Sequence, residues 1–241
     1  MNRSIYELSL LEVALSLLPL AVVLGVLHFW RVEVRSTLYA TARMLAQLAL
    51  VGYVLKLVLT SDLPILVLAM FLAMVAIAAW ISLRPIPEQR RRQLVRAFVA
   101  LLAVTAPILA LLLFAVIRPE PWYLPSYSIP LAGMVVANAM NILSLAAERH
   151  HKECASGVPQ AEARRAALRA ALIPPTNTFL AVGLVALPGM MTGQILAGID
   201  PLIAARYQIM IMAAVYSAGS LSAALFLVLQ RPPTVVPTGS T

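Results

Sequence analysis

Cysteine occurs once in the 241 residues, at Cys154. An internal disulfide is therefore impossible, and no cysteine-based metal cage can be built. Charge is scarce as well. Charged residues make up 12% of the chain, where soluble domains average about 25%. With 61% hydrophobic residues, one soluble core could not hide so much apolar surface, and the surplus must face lipid. Acidic side chains are missing from the apolar interior: all ten lie in loops or near helix ends, Glu12 being the deepest. Proton relays and ion-coupled carriers place a carboxylate within the membrane, so this lack argues against a proton-driven carrier. Enzyme signatures are missing too, with no H-E-x-x-H, no G-x-S-x-G and no G-x-x-x-x-G-K-[ST] phosphate loop. The chain is expected to have no catalytic residues and to bind no cofactor itself. Any ATP-driven work would need a nucleotide site on another polypeptide.

What is present in abundance is long apolar sequence. Seven stretches are long enough to cross roughly 30 Å of hydrocarbon at about 1.5 Å per residue. They run about Leu8–Trp30, Leu38–Leu59, Ile65–Leu83, Ala97–Ile117, Ile129–Ala147, Ile173–Leu196 and Tyr207–Gln230. The fold class expected is all-α, a polytopic membrane protein of about seven transmembrane helices in one transmembrane domain over 1–230. The first stretch is too long for a signal-peptide core and is expected to be retained. Short connections around Asp62 and Asp200 imply antiparallel hairpins, and the Pro- and Thr-rich tail 231–241 is expected to be disordered.

The net charge of +8 is unevenly spread. Basic residues cluster at Arg31, Arg35 and Arg43, at Arg84, Arg90, Arg91, Arg92 and Arg96, and at Arg149, Lys152, Arg164, Arg165 and Arg169, with Arg231 after the last helix. Fourteen of the eighteen basic residues thus fall on one side of a seven-helix chain. The positive-inside rule puts loops 31–37, 84–96 and 148–172 in the cytoplasm, with an outside N-terminus and a cytoplasmic C-terminus. No basic stripe interleaved with aromatic residues suggests nucleic acid. The outer loop RPEPWYLPSYS (118–128) carries Trp122, Tyr123 and Tyr127, which read as an interfacial belt in preference to a ligand cap.

Polar residues inside the helices mark a candidate path. Gln47 lies deep in helix two, between Arg43 and Lys56, which snorkel toward opposite interfaces. Asn138 and Asn141, three apart in helix five, can face one neighbour or cavity, beside the small pair Gly133 and Ala137. Helix six holds Pro174, Pro175 and Asn177. It then reaches Leu187-Pro188-Gly189-Met190-Met191-Thr192-Gly193-Gln194, where Pro188 predicts a kink at membrane depth. Gly189 and Gly193 would let another backbone approach closely. Broken helices must be buried in protein or line a cavity, which would expose Met190, Met191, Thr192 and Gln194 to whatever passes. Their thioethers suit soft metals, or simply pack. Before helix six, QAEARRAALRAAL (160–172) reads as a short basic helix lying on the membrane surface or docking a cytosolic partner. Its exposed charges would be Glu162, Arg164, Arg165 and Arg169. His150, His151 and Cys154 lack a further ligand and read as solvated loop residues.

The runs RMLAQLALVGYVLK (43–56), IPLAGMVVANAM (129–140) and LVALPGMMTGQILAGIDPLIAARYQIMIM (184–212) resemble the membrane permeases of bacterial iron-export ABC transporters, the Fet type. Plant permeases linked to aluminium tolerance belong to the same group. The resemblance covers nearly the whole membrane part. It implies a permease subunit in the inner (plasma) membrane, paired as a homodimer and driven by a cytosolic ATP-binding cassette ATPase that binds ATP–Mg. By analogy the cargo is an iron species moved outward. The segment ERHHKECASGVPQAEARR departs from the family pattern, so coupling residues are not carried over individually. The alternatives are an ATP-independent channel or secondary carrier, and a seven-helix sensor or scaffold.

Overall fold

The computed structural model describes residues 9–59 and 63–230, apart from the side chains of 54–57 and 59. Arg3, the turn at Asp62, the Lys56 side chain and the tail 231–241 lie outside the described residues. The described chain is helical, with α1 (Leu10–Ser16), α2 (Leu18–Phe29), α3 (Val34–Leu59), α4 (Pro64–Ser82), α5 (Arg90–Ala110), α6 (Pro125–Ala155), α7 (Gln160–Ala181), α8 (Gly189–Leu196) and α9 (Pro201–Val228). A π-helix, Leu111–Ile117, continues α5. Two compact units are distinguished, one holding α1 to α3 and the other α4 to α9.

In the first unit a turn at Leu17, just before Pro19, separates α1 from α2. Together they form one apolar crossing, Leu10–Phe29. Glu12 is not deep in it. It closes a capping box with Ser9 in the first turn, where a carboxylate satisfies orphan N–H groups. α3 spans 26 residues, about 39 Å at the helical rise. It contains the second expected segment, Leu38–Leu59, but is not among the described helices apolar enough to count as a crossing. α2 packs on α3.

The second unit is built around α6, which packs against α4, α7 and α9. Its buried residues Ala132, Val135, Val136, Ala139, Leu143 and Ala146 recur at helical spacing, giving a narrow small-residue face on which neighbours approach. The tightest approach is at Gly219 of α9, where a Cβ would overlap Ile142 Cδ1 of α6. Four helices, α2, α4, α6 and α9, carry proline in the first turn, where its missing N–H costs nothing. α9 is also capped by Asp200, whose Oδ1 accepts from Leu202 N at 2.8 Å and Ile203 N at 3.3 Å.

Five described helices are long and apolar enough to cross a membrane: Leu10–Phe29, Pro64–Ser82, Arg90–Ile117, Pro125–Ala155 and Pro201–Val228. The sixth expected segment, Ile173–Leu196, is not one helix. α7 runs straight through Pro174 and Pro175 to Ala181, and α8 restarts at Gly189. Pro188 therefore does not kink a continuous helix; it is the N-cap of α8, with φ −62° and ψ 146°. The segment expected as the loop 148–172 is a helical hairpin instead, with only residues 156–159 between α6 and α7. The alanine side of the basic stretch of α7 faces protein. Ala163, Ala167 and Ala171 are fully buried in a helix packed on α6 and α9, because alanines four apart form a stripe thin enough for close contact.

Basic helix ends meet at one end of this unit. Arg90 donates to Trp80 O at 2.7 Å and lies 3.6 Å over the Trp80 ring. Arg96 donates to Gln230 Oε1 at 3.4 Å. Gln160 Nε2 and Arg164 Nη2 donate to Gln230 O at 2.8 and 2.6 Å. The termini of α4, α5, α7 and α9 are thus joined where positive charge is dense, and Arg164 caps carbonyls at the negative end of α9.

Gly219→Ala is expected to cost about 1–3 kcal/mol through overpacking. Thermal denaturation of the detergent-solubilised chain should show a lowered Tm, recovered at least in part by adding Ile142→Ala. Loss without recovery would show that Gly219 matters for another reason.

Candidate functional site

The break between α7 and α8 is closed by its own backbone. Ala181 O accepts from the N–H groups of Leu184, Val185 and Ala186 at 3.2, 2.8 and 3.2 Å, and Gly183 N donates to Ala186 O at 2.9 Å. Gly183 adopts φ +82°, a conformation that side-chain-bearing residues rarely take. This tight turn lets α8 restart beside α6 and α9, and cavities form around it.

The first, of about 200 Å³, lies between α6, α7, α8 and α9 and is lined by Met134, Asn138, Thr178, Pro188, Gly189, Met190, Gln208, Met212 and Tyr216 among others. A second, of about 420 Å³, extends toward the N-terminal ends of α6 and α9 and includes Ser126, Tyr127, Gln194 and Tyr207. Both are lined by Met134 and Met190, flexible thioethers able to change rotamer at little cost. A third, of about 390 Å³, shares Phe179, Gln208 and Met212 with the first and adds Gly183 and Met191. A fourth cavity of about 150 Å³, between α4, α5 and α6, includes Phe71, Leu109, Phe114 and Trp122. Ser128 is the only polar side chain there besides the Trp122 indole, and it bonds Leu124 O at 3.0 Å, so this space offers little chemistry.

Polar atoms around the first cavity are incompletely satisfied. Asn138 Nδ2 donates to Met134 O at 2.9 Å. Thr178 Oγ1 donates to Pro174 O at 3.0 Å, and Thr192 Oγ1 to Pro188 O at 3.2 Å. Tyr216 stacks on Phe179, with centroids 4.5 Å apart, and its hydroxyl lies 3.4 Å from Thr176 Oγ1. Gln208 is 7% exposed, and its Oε1 has no hydrogen-bond partner in the protein. Gln194 Oε1 is likewise buried without one. Such groups cost roughly 1–3 kcal/mol each, and they are retained where a ligand completes them.

The structure gathers only part of the expected path. Asn138, Pro188, Gly189 and Met190 line the first cavity, Met190 and Gln194 the second, and Met191 the third. Thr192 bonds back within its own helix end. Asn141 and Asn177 are exposed and belong to none of these four cavities. Gln47 is exposed on α3, in the other unit. A Cβ placed on Gly133, Gly189 or Gly193 would meet nothing within 4 Å, so the expected close approach at Gly189 and Gly193 is not made within this chain.

Sequence reasoning missed Gln208, Met134, Thr178 and Tyr216. Gln208 was passed over because segment seven was begun at Tyr207, which puts residue 208 at the interface. Asp200-Pro201 is the signal that could have found it: a cap followed by a first-turn proline starts α9 six residues earlier and carries Gln208 two turns inside.

Among the charges of α7, Glu162, Arg165 and Arg169 are exposed, while Arg164 is turned inward to Val228 O and Gln230 O. Cys154 Sγ lies 3.6 Å from His150 Nε2, and His151 Nδ1 lies 3.3 Å from Gln89 Nε2. Among the described residues no three His, Cys, Asp or Glu side chains converge as a metal site.

A helical membrane protein whose chain breaks between α7 and α8 beside uncharged cavities is the class these features define. A family model described as "Uncharacterised protein family (UPF0014)" matches residues 10–232. The UPF0014 membrane protein slr1647 of Synechocystis is 37% identical over 92% of this chain and 92% of its own length. The probable iron export permease protein FetB of Escherichia coli is 32% identical over 88% of this chain and 86% of its own. The UPF0014 membrane protein STAR2 of Oryza sativa is 34% identical over 78% of this chain and 70% of its own. The chain belongs to the UPF0014 family, and no solved structure matches it.

If Gln208 is kept for a ligand, removing its unsatisfied oxygen should relieve the empty protein. Gln208→Leu is expected to hold or raise Tm in detergent, by up to about 1–3 kcal/mol of stability. A marked fall in Tm would mean that the amide is a structural group.

Proposed function

We propose that this chain is the membrane permease subunit of an ABC-type exporter. In this reading it forms the path for a metal, iron by resemblance, while a separate subunit hydrolyses ATP–Mg. The observation that carries the reading is the relationship to FetB across most of both chains. The broken α7–α8 crossing supports it, because interrupted helices beside a cavity are where carriers place their cargo. So does the want of a phosphate loop, which requires the nucleotide to bind elsewhere.

The basic end faces the cytoplasm of a cell with this protein in its inner membrane, and a cytosolic ATP-binding cassette ATPase docks there. Glu162, Arg165 and Arg169 are exposed on the α6–α7 hairpin and form the docking charges. Arg164 then has a different role, joining the hairpin to the end of α9 so that movement at the ATPase reaches a helix that lines the cavities. A second copy of the chain completes the transporter. The open glycine faces at Gly189 and Gly193 and the exposed Asn141 suit helix packing in a membrane better than lipid contact. ATP-independent carriage is less favoured, since none of the four cavities among α4 to α9 is lined by a carboxylate that could bind a coupling ion.

Purification with its genomic neighbours should bring down an ATPase, and the reconstituted complex should move iron only with ATP. Metal movement by the chain alone in liposomes without ATP would overturn the ABC assignment. In the same complex, Arg165→Glu/Arg169→Glu is expected to lower coupled ATPase activity at least tenfold and leave Tm unchanged, since both side chains are exposed. Unchanged complex formation and activity would remove the docking role from this hairpin.

A further inference from the structure

The corner between α4 and α5 carries charge that the packing of the unit does not use. Between Ser82 and Ala97 lie Arg84, Arg90, Arg91, Arg92 and Arg96, with Glu88 the one acidic residue. Two of these arginines are committed inside the protein. Arg90 donates to Trp80 O through Nε at 3.0 Å and Nη2 at 2.7 Å, with its guanidinium over the Trp80 ring. Arg96 donates to Gln93 Oε1 and Gln230 Oε1. Arg91 and Arg92 are exposed and make no hydrogen bond or ion pair among the described residues. Both sit in the first turn of α5, where the macrodipole disfavours cations, so helix stability does not account for them. Exposed Arg84 adds to the field and exposed Glu88 subtracts from it, which leaves the corner net positive.

One turn on, α5 changes character. Val95 lies four residues after Arg91 and three after Arg92, so the three share a face. The face continues through Val99, Ala103, Pro107 and Leu111, each exposed and each four residues from the last. From Arg92 to Leu111 it runs about 28 Å at the helical rise, close to the roughly 30 Å of a hydrocarbon core. Trp80, 41% exposed, is held at the charged end by Arg90. Beyond the other end, exposed Phe114 lies 5.5 Å from Trp122 between ring centroids. Tryptophans are enriched at the two membrane interfaces. An exposed apolar face of bilayer length, ending in two unpaired guanidinium groups, calls for hydrocarbon and an anion in one molecule. Guanidinium forks match phosphate oxygens two bonds at a time, and no lysine stands in the cluster.

We propose that Arg91 and Arg92, with the α5 face beside them, bind an anionic glycerophospholipid, its phosphate on the two guanidinium groups and an acyl chain along Val95 to Leu111. Arg90 acts as a positioning residue that pins Trp80 next to the headgroup. The ligand is a lipid and not a free anion, because a soluble phosphate would gain nothing from the apolar face that adjoins the cations. The proposal requires only that the chain lie in a membrane, and it stands or falls separately from the permease reading.

The test is quenching of Trp80 fluorescence by brominated lipids. Full-length chain carrying Trp30→Phe and Trp122→Phe, which leaves Trp80 as the sole tryptophan, is reconstituted in mixtures of phosphatidylcholine and phosphatidylglycerol with one or the other brominated. Phosphatidylglycerol should be preferred at Trp80 by at least about fivefold, the equivalent of one basic residue at an anionic surface, and high salt should reduce the preference. Arg91→Gln/Arg92→Gln should bring it close to unity. Arg149→Gln/Lys152→Gln, which removes equal charge from the exposed end of α6, should leave it unchanged, and inorganic phosphate should not compete. The unsubstituted arginines and their salt dependence are read without either pair of substitutions, so the result does not hang on how the variants fold. The proposal is overturned if the preference is below twofold, if Arg91→Gln/Arg92→Gln retains it, or if the α6 pair lowers it equally. It is overturned as well if inorganic phosphate displaces the lipid, which would mean a soluble anion site, or if neither lipid quenches Trp80, which would mean that protein covers this face.

Discussion

A peptide group in hydrocarbon has no water to bond, and each unpaired N–H or C=O there costs several kilocalories per mole. The architecture around α8 follows from meeting this constraint where the chain between α7 and α8 leaves the helix. At residues 182–188 the helix is abandoned, yet Ala181 O gathers three N–H donors and Gly183 closes onto Ala186 O. The local debt is small enough that the chain can afford a gap. What the turn leaves over is the uncapped start of α8, and the cavities form beside it. A continuous helix through the same residues would present neither a free helix terminus nor a recess between α6 and α9.

The packing that surrounds the break is built from small side chains. Ala163, Ala167 and Ala171 of α7 and Gly219 of α9 bring their helices close to α6, in surroundings where apolar burial alone gives no drive to associate. Close contact along one stretch holds α6, α7 and α9 together at the basic end. Bulkier residues, Met134, Met190, Met212 and Tyr216, line the space further along. The junction of Arg96, Gln160, Arg164 and Gln230 fixes α7 and α9, with α5, at their ends. A displacement of the α6–α7 hairpin therefore has a direct mechanical route to α9, through charge-assisted bonds to its terminal carbonyls.

Several features were legible without coordinates. The helical class, five of the seven expected apolar spans and the gathering of Arg84 to Arg96 with residues 148–172 at one end follow from hydropathy and charge, which act on whole segments. Pro188 and its glycines marked the break correctly in place. They were misjudged in kind, because Pro188 could end a helix, kink it or begin the next one. The backbone of 182–186 chose, by offering acceptors that a kinked helix would have used itself. Asn138, Asn141 and Asn177 looked alike in sequence, and only Asn138 lines a cavity. Rotation of a helix about its axis is set by neighbours, and three polar residues in apolar runs carry no information about it.

By itself the sequence determined that this chain is helical and lies in a membrane, that its positive charge gathers in a few segments, and that family kinship links it to UPF0014. Those properties depend on local composition and on order along the chain. Tertiary structure alone decided that Arg164 turns inward while Arg165 and Arg169 stay exposed, and that Gln208 sits buried with an unpaired oxygen. These depend on which helices meet and at what depth, and contacts between residues seventy positions apart are not written in either neighbourhood.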